Sequence, residues 1–228
     1  PPELAPELVM VFDASGSMEY SLLASPEEIL MGEKSRQLQK AGPLWQMMGE
    51  AAGIPSNAWQ RATRAPQRIT AAKESALAVA RLIPKDVNVG LILIKDCPSS
   101  TVVRNPSAGG RNQLLGQIQS IQTQAGTPLA DGVAQAGRLV DGVNREAVIL
   151  VVSDGAESCD GNPCAVAAQL ARSKPHLKIN VVDIQGTGAG NCLAASTGGK
   201  VFTANNVSEL ATTMNQAAGD VLGPTNCK

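Results

Sequence analysis

Short apolar runs alternate with stretches of helical periodicity along most of this chain, and few folds accommodate that alternation. The runs that fit strands are residues 8–12, 87–94, 101–104, 147–152, 179–184 and 201–203. Helical spacing of apolar residues marks residues 71–83, 114–121, 129–140, 165–171, 192–195 and 210–221. This pattern predicts a doubly wound, Rossmann-like α/β fold, with helices on both faces of a mostly parallel six-stranded sheet. Residues 101–104 are expected to form its one antiparallel edge strand.

Length and charge bound the classes of protein open to the chain. A length of 228 residues with 43% hydrophobic content predicts a single domain, spanning residues 1–228, with a core of its own. The 19 Lys and Arg against 20 Asp and Glu give a formal charge of -1, so no general attraction to nucleic acid or to an anionic membrane is expected. No apolar run approaches the roughly 18 residues of a membrane-spanning helix, so this segment is not expected to insert into a membrane.

A polar loop follows the first predicted strand. Asp13, Ser15 and Ser17 present one carboxylate and two hydroxyls on alternate residues, directly after the apolar run. Asp and Ser are also ordinary residues of turns and helix caps, where their side chains bond to nearby backbone amides. That interpretation fits the loop when it is taken alone. The loop becomes a candidate metal site only with partners from elsewhere in the chain.

Two distant residues supply such partners. Thr127 precedes a predicted helix, and Asp154 follows the strand predicted at residues 147–152. In open parallel sheets, ligands bind outside the carboxyl ends of the strands, near the switch in strand order, and both loops are expected to lie there. Magnesium prefers near-octahedral oxygen coordination and usually takes one or two protein carboxylates. The predicted cation site consists of Asp13, Ser15, Ser17, Thr127 and Asp154.

The order and context of these segments resemble the von Willebrand factor A domain family. The motifs that carry the resemblance are Asp13-Ala14-Ser15-Gly16-Ser17, Gly126-Thr127-Pro128-Leu129 and Val151-Val152-Ser153-Asp154-Gly155. The resemblance covers residues 8–18 and about 68–222. It implies a metal-ion-dependent adhesion site in which the five side chains hold Mg²⁺, with Mn²⁺ or Ca²⁺ as alternatives. It also implies that an open coordination position accepts an acidic side chain of a protein partner, and therefore binding rather than catalysis.

The cellular compartment is expected to be extracytoplasmic, in the periplasm or on the cell surface. Residues 153–159 resemble the matching segment of bacterial members of that family. Cysteine usage agrees with an oxidising compartment, because Cys159 and Cys164 bracket four residues that a small disulfide ring can close. Cys192 then has Cys227 as a partner, which leaves Cys97 unpaired, although five cysteines permit other pairings.

Residues 19–67 depart from the compact pattern of that family, which passes quickly from the first metal loop into a long helix. We expect a helical insertion here, with helices near residues 27–40 and 44–52. Because it emerges from the metal loop, it is expected to lie near the binding face. It could form a lid or a partner-specific platform there, and the alternative is a small helical hairpin whose aromatic side chains pack against the domain. For Trp45 and Trp59 individually, packing against the domain is the favoured interpretation, since large aromatic side chains are usually mostly buried.

Catalytic patterns fail on inspection, and the chain is not expected to be an enzyme. A nucleophilic Ser15 or Ser17 needs a nearby base, but the only histidine, His176, is expected to end a helix at the opposite end of the sheet. The glycines of residues 186–190 lack the spacing of a dinucleotide-binding loop. Two alternatives stay open: a metal-dependent hydrolase that uses the same oxygen ligands, and a structural module whose ion only braces three loops.

Overall fold

A six-stranded sheet lies at the centre of the computed structural model, which describes residues 5–219. Its strands are β1 (Glu7–Asp13), β2 (Asn88–Ile94), β3 (Thr101–Ser107), β4 (Ala147–Ser153), β5 (Leu177–Ile184) and β6 (Val201–Ala204). They are arranged in the order β3-β2-β1-β4-β5-β6. Neighbouring strands run parallel except for β3, which pairs with β2 in the antiparallel sense at one edge. The predicted fold class and the antiparallel edge strand are therefore confirmed.

Helices cover both faces of the sheet. The helices are α1 (Pro26–Ala41), α2 (Pro43–Ala51), α3 (Ala58–Ala62), α4 (Arg68–Leu82), α5 (Arg111–Gln119), α6 (Leu129–Leu139), α7 (Pro163–Ser173), α8 (Asn191–Thr197) and α9 (Val207–Ala217). Side chains of α4, α5 and α9 pack on one face, and side chains of α6, α7 and α8 pack on the other. Of the helix predicted at residues 210–221, the last two residues lie outside the described part of the chain.

Strand β1 shows why the apolar runs of the sequence are continuous rather than alternating. Leu8, Met10 and Phe12 join the core on the α4 face, whereas Val9 and Val11 join the core on the α6 face. Successive side chains of a strand point to opposite faces, so a strand covered on both sides needs an apolar residue at every position. All seven residues of β1 are buried. The burial of both faces therefore places the polar chemistry at the ends of the strands.

The switch in strand order occurs at β1. The chain runs from β1 to β2 on one side of the sheet and later returns to β4 on the other side of β1. In the register of β1 and β4, Phe12 lies beside Val152. Asp13 and Ser153 are the last residues of these two strands, so both lie at the same end of the sheet, and Asp154 follows Ser153 directly. The two predicted carboxylate ligands therefore lie at the position where open α/β sheets bind ligands.

The predicted insertion is helical. A capping box of Ser25 and Glu28 starts α1, in which Ser25 accepts from the Glu28 amide and Glu28 accepts from the Ser25 amide. α1 packs closely on α3, because a Cβ added at Gly32 would lie 2.6 Å from the Cβ of Ala62. The Ser21 amide donates to the Ala62 carbonyl at 2.8 Å, which ties the end of the insertion back to the end of the metal loop.

The two tryptophans differ. Trp59 is partly buried, with its ring edge-on to Tyr20 and the Arg36 guanidinium 4.3 Å from the ring centroid, so its predicted packing role is confirmed. The prediction that Trp45 packs against the domain is wrong, because Trp45 lies on α2 and is 52% exposed. This short helix also exposes Leu44, Met47 and Met48, because only its Gly49 face lies against Leu38 of α1. The insertion therefore presents an apolar helix surface to solvent.

Candidate metal centre

Asp13 is held at the end of β1 by two hydrogen bonds. It is fully buried, and its Oδ1 accepts from the Ser15 amide at 2.8 Å. Its Oδ2 accepts from the Ser153 hydroxyl, which comes from the end of the neighbouring strand β4. The Ser153 hydroxyl also lies within hydrogen-bond distance of the Gly155 amide and carbonyl. The two strand ends are therefore joined through the Asp13 carboxylate, a role for Ser153 that the motif did not reveal.

A chain of side-chain hydrogen bonds joins the first and third motifs. The hydroxyls of Ser15 and Ser17 lie 3.0 Å apart, and the Ser17 hydroxyl donates to Oδ1 of Asp154 at 2.8 Å. Ser17 lies in a short 3₁₀ helix, Gly16–Glu19, that turns the loop back toward the sheet. The fold thus brings together Asp13, Ser15, Ser17 and Asp154, although 137 residues separate Ser17 from Asp154.

Thr127 is joined through its backbone to Ser158, in the loop that follows Asp154. The residue is 7% exposed, and its amide donates to the Ser158 hydroxyl at 2.8 Å. Its carbonyl accepts from the Ser158 amide at 3.1 Å. Nearby in the same loop, the Gln124 amide donates to the Ala14 carbonyl at 2.8 Å, so the second loop lies against the first. The structure therefore brings the backbone of all three loops together.

Arg68 is a residue of the site that sequence reasoning missed. Its Nη1 donates to Oδ2 of Asp154 at 2.7 Å, and the side chains of Arg68 and Asp154 are 8% and 0% exposed. Arg68 is the first residue of α4, the helix that follows the insertion. A cation is disfavoured at a helix N-terminus, where the helix dipole is positive. The Asp154 carboxylate offsets this unfavourable position, but nothing in the sequence links two residues that lie 86 positions apart.

The site concentrates negative charge in a buried place. The pKa of Asp13 is raised from its ordinary 3.8 to about 6. Burial is the larger cause, and the nearby Asp154 carboxylate is the second. Hydrogen bonds from Ser153 and Ser15 act in the opposite direction. Arg68 compensates one of the two carboxylates, which leaves one negative charge. Two carboxylates with serine and threonine hydroxyls nearby form an oxygen-only donor set that fits Mg²⁺.

Metal-ligating clusters built from His, Cys, Asp or Glu alone are absent from the described part of the chain. Within residues 5–219, no group of three or more His, Cys, Asp or Glu side chains is placed to hold a metal ion. The oxygen site contains only two carboxylates, so its hydroxyls would have to supply further ligands. The Arg68 Nε adds a second observation, because it is buried without a hydrogen-bond partner. A buried donor without an acceptor is costly, and because Nε is a donor, an acceptor rather than a cation would satisfy it.

Two disulfides lie near the carboxyl ends of the parallel strands. They differ from the predicted cysteine pairing, which is wrong. Cys97 pairs with Cys159 and Cys164 pairs with Cys192, with Cα–Cα distances of 5.3 and 5.4 Å. The predicted Cys159–Cys164 ring is therefore excluded, and Cys192 is not available to Cys227, which lies outside the described residues. Short sequence spacing was misleading because Cys164 begins α7, which carries its thiol away from Cys159 and toward α8.

Replacing Cys97 and Cys159 by serine is expected to lower the free energy of unfolding by about 2–4 kcal/mol, because this disulfide closes a long loop of the unfolded chain. Its sequence separation is 62 residues, against 28 for Cys164 and Cys192. The Cys164→Ser/Cys192→Ser variant is the matched comparison, and it should lose slightly less stability. Urea denaturation of both variants measures this, and a smaller loss for the long loop would contradict the entropic explanation.

No helix within residues 5–219 combines the length and the apolar character needed to cross a membrane. His176 follows α7 and directly precedes β5, so it lies at the amino end of the strands, opposite the site. The expectation that it ends a helix is wrong, since α7 stops at Ser173, but its predicted place at the far end of the sheet is confirmed.

Comparison with known proteins places these observations in a family context. Residues 55–157 match the von Willebrand factor type A domain family. This range contains Thr127 and Asp154 but does not include Asp13. YwmD of Bacillus subtilis (strain 168), an uncharacterized protein, is 22% identical over 165 residues, which is 64% of this chain and 74% of that protein.

Solved structures share the fold. The von Willebrand factor type A protein from Catenulispora acidiphila superposes with a TM-score of 0.63 at 15% identity, covering 96% of this chain and 43% of that one. The pilus adhesin SpaC from Lactobacillus rhamnosus GG, in its open conformation, gives a TM-score of 0.62 at 12% identity, covering 96% of this chain and 30% of that one. The present chain thus spans less than half of either protein. At these identities the likeness establishes the fold alone.

Proposed function

We propose that this chain is a protein-binding domain whose contact with its partner depends on a divalent cation, Mg²⁺ in the first place. The observation that carries the proposal is the hydrogen-bonded chain of Asp13, Ser15, Ser17 and Asp154 at the switch point of the sheet. These side chains, together with Thr127, would hold the cation through oxygen atoms. One coordination position is left for an acidic side chain of the partner.

A binding role explains this site better than a catalytic one. Ser15 and Ser17 lie close to carboxylates but not to a histidine, because His176 lies at the amino ends of the strands, opposite the site. Asp13 is enclosed and fully buried, so it is badly placed to take a proton from a substrate or from water. The rival hypothesis of a metal-dependent hydrolase predicts turnover in a broad phosphatase and esterase screen. Metal-dependent turnover that is lost with Asp13 would replace the present proposal.

Two further features support an adhesion or assembly role outside the cytoplasm. The two disulfides fit an oxidising compartment. The likeness in fold to a pilus adhesin is consistent with a domain that binds other proteins. The exposed apolar side chains of α2, which include Trp45 and Met48, offer a second contact surface, since large exposed apolar patches commonly mark interaction sites. No nucleic acid and no membrane lipid is proposed as a partner.

Thr127→Ala is expected to weaken Mn²⁺ binding by about tenfold without unfolding the domain, because it removes a hydroxyl ligand but no backbone contact between the loops. Manganese is the probe because its electron paramagnetic resonance signal reports binding directly. Thr213→Ala is the matched control: Thr213 is buried to a similar degree but lies on α9, outside the three loops. Unchanged affinity in Thr127→Ala would remove this residue from the ligand set.

Partner capture tests the functional half of the proposal. Wild-type protein, Thr127→Ala and Thr213→Ala are each used to capture proteins from the source organism, in Mg²⁺ and in chelator. A partner that is retained by wild type and Thr213→Ala in Mg²⁺, and lost in chelator and with Thr127→Ala, supports cation-dependent binding. If partner binding is unchanged by chelator and by Thr127→Ala, the ion only stabilises the loops. The insertion would then be the candidate binding surface.

A further inference from the structure

Arg68 places a fixed positive charge inside the proposed cation site. Its guanidinium contacts Oδ2 of Asp154, while Oδ1 of the same carboxylate accepts from Ser17. Both oxygens of Asp154 are therefore engaged, one of them by a full positive charge. Asp13, in contrast, is bonded only to an amide and a hydroxyl.

The position of Arg68 is built by the surrounding structure. Its amide donates to the Tyr20 carbonyl at 2.9 Å, and its guanidinium lies 5.6 Å from the centroid of the Tyr20 ring. The Tyr20 hydroxyl in turn donates to Glu33 of the insertion helix α1. Arg68 is thus enclosed between the metal loop, the insertion and Asp154, and it is only 7% exposed. A guanidinium held in this way is a permanent part of the site.

This placement costs free energy that α4 itself does not recover. A cation in the first turn of a helix opposes the helix dipole, and the Nε of Arg68 is buried without an acceptor. The Asp154 ion pair offsets part of that cost. The unsatisfied Nε shows that the offset is incomplete, so the arginine is explained better by what the site binds than by the stability of the helix.

Charge counting shows what Arg68 changes. Asp13 and Asp154, both ionised, with Arg68 carry a net charge of minus one. A divalent cation brings this sum to plus one, and a single carboxylate from a partner then brings it to zero. Without Arg68, the cation alone would neutralise the two aspartates, and an additional carboxylate would leave the buried site negative. Buried charge is stable only when it is compensated, so the neutral combinations are favoured.

Resting on the proposed function, we infer that Arg68 weakens binding of the cation alone and couples it to binding of a carboxylate ligand. Cation and acidic partner then bind cooperatively, each raising the affinity for the other by the same factor. Arg68 acts here as a positioning residue for charge, since it contacts Asp154 rather than the cation. The consequence is a domain that holds its ion loosely until an acidic group arrives.

The test is a Mn²⁺ titration followed by electron paramagnetic resonance, with sodium acetate as the model carboxylate and sodium chloride at equal ionic strength as its reference. In chloride, Arg68→Gln is expected to bind Mn²⁺ about tenfold more tightly than wild type, the scale expected when a like charge is removed from a partly buried site. Acetate is expected to tighten Mn²⁺ binding to wild type clearly more than to Arg68→Gln. Arg68→Lys keeps the charge and should resemble wild type.

Control variants and a second measurement keep the outcomes separate. Arg64→Gln removes the same charge from a surface arginine that pairs with Glu28, and it should not change Mn²⁺ affinity. Thermal unfolding in chelator should show a lower midpoint for Arg68→Gln than for wild type and a larger rise on adding Mn²⁺. The acetate experiment on wild-type protein needs no variant, so it stands even if Arg68→Gln folds poorly.

Each result has a defined meaning. If neither wild type nor Arg68→Gln binds Mn²⁺, the proposed cation-dependent function itself fails. If wild type binds Mn²⁺ but Arg68→Gln binds it no more tightly, or if acetate has no effect on wild type, the function stands and the role of Arg68 is wrong. Tightening by Arg68→Lys equal to that by Arg68→Gln would also overturn the inference, because the charge would then not be the cause.

Discussion

In chelator at about pH 7.5, Asp13→Asn is expected to be more stable than the wild type by up to about 3 kcal/mol, the energy that corresponds to its altered proton affinity. The folded protein raises the pKa of Asp13 from 3.8 to about 6, through burial and through the neighbouring Asp154. Below about pH 3, Asp13 is protonated in both folded and unfolded chains. As the pH rises, the unfolded chain releases this proton first, so stability is lost progressively until the pH passes the folded pKa.

Asparagine avoids this loss because it carries no charge and fits the same hydrogen bonds. Its carbonyl oxygen can accept from the Ser15 amide, and its amide can donate to the Ser153 hydroxyl, which then donates to the Gly155 carbonyl. The gain in stability should therefore vanish below about pH 3 and reach its full size above about pH 7. The same change should lower Mn²⁺ affinity by at least about 100-fold, the upper end of the cost of losing a supporting group around a metal.

Urea denaturation in chelator at both ends of this pH range measures the effect. Asp86→Asn is the control, because Asp86 is exposed in the turn before β2, at the opposite end of the parallel strands from the two buried carboxylates. A variant less stable than wild type at the higher pH would show that the Asp13 carboxylate is a favourable part of the metal-free fold. A difference of equal size at both pH values would assign the effect to packing rather than to charge.

Phe12→Ala should lower the free energy of unfolding by about 3–5 kcal/mol, as expected for removing a large aromatic side chain from a close-packed core. Phe12 is fully buried in β1, between Leu93 of β2 and Val152 of β4 in the sheet register. The cavity would open on the α4 face of β1, one residue before Asp13. We therefore also expect weaker Mn²⁺ binding, through loss of the rigid strand end.

Phe202→Ala provides the comparison for this change. Phe202 lies on the edge strand β6 and is only partly buried, so the same truncation removes less contact and should cost well under half as much. Denaturation of the two variants under identical conditions gives the ratio. Similar losses in both would mean that the sheet edge carries as much of the core as its centre does.

Periodicity and motif order were enough to predict the sheet and the place of its polar edge. A run such as residues 147–152 permits only a strand covered on both faces, and parallel strands necessarily bring Asp13 and Asp154 to one edge. The antiparallel return of β3 was also predictable, because only a short connection separates it from β2. The ligand role of the five side chains stays a prediction, as do the identity of the cation and the single-domain organisation.

Features that depend on the direction of side chains in space were not predictable. The cysteine pairs join elements that are distant in sequence, and spacing alone favoured the wrong neighbour for Cys159. Trp45 was expected to pack because its side chain is large, but α1 is the main element that packs on α2 in the described part of the chain, and it leaves Trp45 exposed. Arg68 was missed because its partner, Asp154, is 86 residues away. A single arginine at the start of a helix does not by itself indicate a functional site.

Mechanical load would divide this site in a defined way. The disulfides enclose separations of 62 and 28 residues, so a chain pulled from its two ends cannot extend those segments, a loss of roughly 300 Å of contour length. Thr127 and Asp154 lie inside the first enclosed segment, whereas Asp13, Ser15 and Ser17 lie on the extensible part. Tension that separates β1 from β4 would therefore divide the five proposed ligands into two groups and release the proposed cation, while β4 and β5 stay unextended.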